Sequence, residues 1–186
     1  EERVSSAGIH MIAQNIKPLL RPVLYKDPVV WCRDYPHLTL HQLICLACHT
    51  AMYAHSIAYC KAFGISYIAE GARKQQRFFV ELPEMAEAYK KLCHEHEVEL
   101  LLPVYDLASD TARKDELAEW GFLPKTYEPQ CWAGCPMEED LTQEQRDCLF
   151  KYYKEQIRPQ LDSMIDRLCR KKICLGPEGS GCNAYM

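Results

Sequence analysis

Apolar positions recur at three- and four-residue intervals in several stretches of this chain, and each such stretch predicts a helix. Between residues 6 and 17, Ile9, Ile12, Ala13 and Ile16 share one face, and Pro18 ends the pattern. Residues 18 to 41 carry Pro18, Pro22, Pro28 and Pro36, which exclude a long helix, so the apolar piece Val29-Val30-Trp31 predicts a strand within a connection. From about 43 to 63, Ala47, Ala51, Ala54 and Ala58 form a stripe, with Gly64 where a terminating glycine belongs. The spacing places the start of this helix at or just after Cys45 and Cys48.

The pattern then changes period. Ile65-Ser66-Tyr67-Ile68-Ala69 predicts a buried strand ending at Gly71, followed by the polar turn Arg73-Lys74-Gln75-Gln76-Arg77. A helix is predicted from Pro83 to His96, burying Met85, Tyr89, Leu92 and Cys93, and a strand over 98–105. Ser109 or Asp110 can cap a third helix carrying Leu117 and Trp120, which Gly121 ends. Thr142 and Gln145 have capping-box spacing ahead of a long apolar stripe from Leu149 to Leu168, with a kink expected at Pro159. Gly176-Pro177-Glu178-Gly179-Ser180-Gly181 has no periodicity and predicts a flexible end or a lid.

Helix and strand alternate through this stretch, so the expected fold is α/β, a parallel sheet with flanking helices, followed by a long C-terminal helix. The expected organisation is an α/β domain over 1–140 and a C-terminal helix with its tail over 141–186. A length of 186 residues with 48% hydrophobic and 26% charged content can close one core. The formal charge of -4 offers no nucleic-acid footprint by itself. No run approaches the roughly 20 apolar residues of a membrane span, and the start lacks a secretory apolar segment. A soluble, cytoplasmic protein with no membrane association is the expectation.

Eleven cysteines are an odd number, and Cys60, Cys93, Cys148 and Cys169 fall inside helical patterns, which suits buried thiols and a metal site better than a disulfide framework. Cys45-Leu46-Ala47-Cys48 is a CxxC placed where a helix start would favour thiolates, the form that binds metal or attacks sulfur. His49 adds a further ligand or an acid. The second cluster, Cys131-Trp132-Ala133-Gly134-Cys135-Pro136, falls in a comparable loop of the predicted sheet. Four thiolates suit a closed zinc site and three leave an iron open, so residue types leave a structural clamp and a functional centre both standing. Gly71, Arg73 and Lys74 set two cations beside a glycine at a strand end, where phosphate can sit or a turn can simply be solvated. His94 and His96 with Glu95 and Glu97 read as an exposed charged face, and Cys169, Cys174 and Cys182 match no ligand spacing.

Taken together, Cys45-x-x-Cys48-His49, Ile68-Ala69-Glu70-Gly71, Pro103-Val104-Tyr105-Asp106-Leu107, Lys114-x-Glu116-Leu117, Gly121-Phe122 and Cys131 resemble the C-terminal half of PP-loop ATP pyrophosphatases. That superfamily includes tRNA-thiolating enzymes and 7-cyano-7-deazaguanine synthases, and the similarity covers roughly residues 40 to 136. The resemblance implies a Rossmann-like fold of the PP-loop type and adenylation of a carbonyl by ATP, followed by attack of sulfur or nitrogen, on a tRNA or small nucleobase substrate. It also implies a [4Fe-4S] cluster on Cys45, Cys48 and either Cys131 or Cys135, with zinc the other option, and phosphate neutralised by Arg73 and Lys74. The Ser-Gly-Gly-x-Asp-Ser loop that grips phosphate in the family does not occur in these residues. ATP and Mg are therefore expected only if an N-terminal portion or a partner chain supplies that loop.

Overall fold

Thr39 and Gln42 start the first described helix by satisfying each other's backbone. The Gln42 N–H donates to Thr39 Oγ1 at 3.2 Å and the Thr39 N–H donates to Gln42 Oε1 at 2.9 Å, a complete capping box. Helix α1 consequently spans Leu40–Phe63, beginning before the cysteine pair rather than at or after it. The signal was in the sequence as Thr-x-x-Gln, ahead of the alanine stripe. Gly64 ends the helix at φ 65°, a left-handed conformation that costs glycine little. The computed structural model describes residues 33–74, 78–107, 110–119, 121 and 141–170. The predicted helix at 6–17, the strand at Val29-Val30-Trp31, the pair Cys131 and Cys135, and the tail from Gly176 lie outside the described residues.

After Gly64 the chain reverses into β1 (Tyr67–Ala69), then passes through a 3-10 turn (Phe79–Glu81) into α2 (Pro83–Glu95) and β2 (Glu99–Leu101). The two strands pair in parallel, with Ile68 opposite Leu100. Both are shorter than the spacing predicts. The second stops because Pro103 has no N–H for a ladder, and residues 103–106 turn instead, with the Tyr105 N–H on Leu102 O at 3.2 Å. Helix α3 spans Asp110–Glu119, and the Gly121 N–H donates to Ala118 O at 2.9 Å, closing it as expected.

The C-terminal run comprises α4 (Gln143–Tyr152), a π-helical turn (Tyr153–Ile157) and α5 (Arg158–Arg170). Thr142 and Gln145 form the expected capping box. In place of a simple kink at Pro159, the ladder widens by one residue just before it, and the Arg158 N–H donates back five residues to Tyr153 O. Proline lacks a donor and its ring crowds the carbonyl four residues back, and a wider turn accommodates both.

The architecture is mixed α/β, mostly helical, with a two-stranded parallel sheet and a long C-terminal helical run. One core joins them: Leu46, Ala54 and Ile57 of α1, Met85, Tyr89 and Leu92 of α2, and Leu161, Met164 and Ile165 of α5 are all buried. At 24 residues, α1 is long and apolar enough by length and composition to cross a membrane, with mean hydropathy 1.3 over its most apolar window. That corrects the reading of the bare sequence, where Gln42, His49 and Thr50 break the visual run of apolar letters. Buried positions make up 56% of the same window, and α1 packs on α5, α2 and the 3-10 turn. Ile68 and Leu100 point inward, while Tyr67 (56% exposed) and Leu101 (40%) stand on the outer face of the sheet.

Candidate functional site

Because β1 runs back along α1, the N-terminal half of α1 lies beside the carboxyl end of β1. Two contacts fix this arrangement: the Tyr53 hydroxyl donates to Glu70 Oε2, and His49 Nδ1 lies 3.6 Å from Glu70 Oε1. Cys45 is one turn before His49, about 6 Å along the axis at the helical rise. Cys45 and Cys48, at positions i and i+3, share a face, and both are half-buried thiols outside any disulfide. They are the sixth and ninth residues of α1. The free N–H groups of a helix start belong to its first four residues, so the expected thiolate stabilisation by the helix terminus does not apply at this pair.

The segment after β1 is tied down by its backbone. The Glu70 N–H extends the ladder to Leu101 O at 3.0 Å, the Arg73 N–H donates to Glu81 Oε1 at 3.2 Å, and the Lys74 N–H donates to Tyr105 O at 3.1 Å. The Tyr105 hydroxyl returns a bond to Glu81 O at 2.8 Å. Arg73 and Lys74 are thereby held just past the carboxyl end of β1. A Cβ added to Gly71 would meet nothing within 4 Å, so packing does not demand glycine there.

Beneath Glu70 lies a column of tyrosines that sequence reasoning did not connect. Tyr53 stacks on Tyr89 with centroids 4.2 Å apart, and Tyr89 meets Tyr153 edge-on at 6.1 Å. Thr50 Oγ1 lies 3.5 Å from the Tyr89 hydroxyl, while the buried Tyr153 hydroxyl has no hydrogen-bond partner among the described residues. Burial pushes the Glu70 carboxyl above the usual carboxylate range, against the smaller opposing pull of the Tyr53 hydrogen bond. Burial, then the neighbouring Glu70 charge, also drives the Tyr53 phenol upward. Burial pushes the Cys93 thiol up to about 12, which keeps it an inert core thiol. The expected buried strand is in fact exposed at Tyr67 and Ala69, with only Ile68 turned inward, and an acidic residue directly after a strand was the available signal for Glu70.

The Glu70 shift has a checkable sign. Its folded-state pKa lies above the unfolded value, so the native state holds the proton more tightly and stability falls as pH rises through that interval. Glu70→Gln is expected to flatten the fall of the urea midpoint as pH rises above the ordinary glutamate value of about 4.3. An unchanged slope would show that the carboxyl is not desolvated.

The remaining candidates separate from this rim. Among the described residues no group of three or more His, Cys, Asp or Glu is arranged to hold a metal, and Cys131 and Cys135 lie outside those residues. His96 Nε2 lies 3.2 Å from Asp162 Oδ1, and Arg158 bridges Asp162 and Glu95, so the end of α2 is clamped to α5. Partial burial pushes the Asp162 carboxyl up, but the hydrogen bond and charge of Arg158, joined by His96, together outweigh it and hold the carboxyl below its ordinary value. An open groove follows the outer edge of β2, floored by Leu100 and Leu102 and walled by Lys90, His94 and Tyr105, and it includes none of Cys45, Cys48, Gly71, Arg73 or Lys74. No protein-family model matches the chain, and neither a curated protein nor a solved structure matches it.

Proposed function

We propose that this chain is the cysteine-bearing part of an ATP-pyrophosphatase-like enzyme of nucleobase or tRNA modification, with a PP-loop, Rossmann-like domain. In this reading Cys45, Cys48 and one of Cys131 and Cys135 hold a [4Fe-4S] or zinc centre, and Arg73 and Lys74 neutralise phosphate. One observation supports it: His49, the residue after the CxxC, lies 3.6 Å from Glu70, and Glu70 directly follows β1 of the parallel pair on the segment that leads to Arg73 and Lys74. The carboxyl end of the strands is where open α/β sheets take their ligands.

The donor chemistry fits. Two half-buried thiols one helical turn apart can ligate a soft metal centre, and a third from a distant loop would complete a three-cysteine set. An iron-sulfur centre with one iron unliganded by protein supplies a seat for sulfur. The chain's own residues would bind the phosphate chain, orient the base and shield the activated carbonyl. Adenylation of the carbonyl oxygen releases pyrophosphate and turns a poor leaving group into a good one. An N-terminal portion or a partner chain would supply the phosphate loop, with ATP and Mg.

Anaerobic purification tests the centre. The protein is expected to be brown with broad visible absorbance, and Cys48→Ala to lose both. The missing Ser-Gly-Gly-x-Asp-Ser loop favours a second reading, a non-catalytic binding subunit with a structural zinc site. Colourless protein with stoichiometric zinc would favour that one, and colourless, metal-free protein would remove both.

A further inference from the structure

Glu70 has no place in the scheme above, yet it is the most constrained polar group at the carboxyl end of β1. Its backbone is fixed by the Leu101 carbonyl, one carboxylate oxygen accepts from Tyr53, and the other faces His49 at 3.6 Å. Tyr53 is itself held by stacking on the fully buried Tyr89. This is how a fold preorganises a recognition group, with the reading side chain's rotamer set by packing and hydrogen bonds behind it. A carboxylate offers about four acceptor sites and no donor, and these contacts leave part of that capacity unused. The side chain is 26% exposed, open enough for a ligand to reach and sheltered enough for a charge-assisted hydrogen bond to be strong.

The acceptor-only character selects the ligand chemistry. A divalent cation would need further ligands, and no group of three or more His, Cys, Asp or Glu surrounds Glu70 among the described residues. A neutral N–H donor needs only the carboxylate. We propose that Glu70, held by Tyr53 and His49, accepts the ring N–H of a nucleobase lactam, the –NH–C(=O)– edge found in uracil- and guanine-type bases. The inference rests on the nucleobase-modification reading and names the edge of the base that is recognised. The His49 contact puts the recognised edge on the same helix, α1, as the CxxC. Tyr53 is a positioning residue here, acting through Glu70.

Uridine and guanosine are the probes, against 3-methyluridine and 1-methylguanosine, which lack the ring N–H. Saturation-transfer NMR on the full chain is expected to detect at least one parent nucleoside, with its methylated counterpart binding at least tenfold more weakly. In Glu70→Gln the amide oxygen stays on the Tyr53 hydroxyl and an N–H2 faces the ligand, so the discrimination is expected to vanish without loss of folding by circular dichroism. Tyr53→Phe is expected to weaken the discrimination without abolishing it. Equal binding of parent and methylated nucleosides, no binding of either, or discrimination that survives in Glu70→Gln would each overturn the inference. Metal content of the same preparation separates the two readings, since protein that holds its metal but does not discriminate loses only this one.

Discussion

Ile165→Asp is expected to leave the chain unfolded at neutral pH. Ile165 is 0% exposed, and with Leu161 and Met164 it forms the apolar stripe that seats α5. That helix has 13 residues, a length that is marginal in isolation, so its stability comes from packing, principally on α1. Removing the isoleucine costs about 2–5 kcal/mol, and an unpaired carboxylate in its place adds a desolvation penalty of similar or larger size. The total approaches the whole stability of an ordinary domain, about 5–15 kcal/mol. Far-ultraviolet circular dichroism should report loss of helix, partly recovered on acidification as the new carboxyl protonates. Asp166→Ala, at the exposed neighbouring position, should stay within about 0.5 kcal/mol of wild type. A cooperatively folded Ile165→Asp protein would show that α5 does not belong to the core.

Tyr89→Ala is expected to be the most damaging truncation among the aromatic residues, at about 3–5 kcal/mol by denaturant titration. The ring is 1% exposed and lies between Tyr53 and Tyr153, so its loss leaves a cavity with aromatic walls and removes two ring contacts. Tyr89→Phe keeps the ring and drops a hydroxyl whose contact with Thr50 is long at 3.5 Å. That change should cost no more than about 1.5 kcal/mol. The pair separates packing from hydrogen bonding. It also bears on Glu70, because the ring that Tyr53 stacks on is gone only in the alanine variant. Equal losses for the two variants would assign the energy to the hydroxyl instead.

Local signals in the chain were strong where a single residue type has a single physical use. Gly64 ends α1, Pro83 opens α2, Gly121 closes α3 and Thr142-x-x-Gln145 opens α4, each as its backbone chemistry requires. The same capping box at Thr39-x-x-Gln42 starts α1, whereas the alanine stripe alone sets the start past the cysteines. Cys45 and Cys48 are therefore interior to the helix, beyond the reach of its terminal N–H groups. Strand ends were less legible, since the run over 98–105 is apolar beyond the point where Pro103 stops the ladder.

Among the described residues, residue order alone determined which stretches are helical, where most of them stop, and that two cysteines stand one turn apart, because these depend on contacts within a few residues. Only the tertiary structure decided what lies next to them. Glu70, Tyr53, Tyr89 and Tyr153 are distant in sequence and carry no common motif, and they meet because α1 and β1 run in opposite directions and α5 packs across α1. The pairing of His96 and Arg158 with Asp162 has the same origin, with a spacing that no local pattern encodes. Burial likewise comes from the whole fold. The elevated pKa of Glu70 and the inertness of Cys93 depend on the water excluded by neighbouring elements, which no short window of sequence specifies.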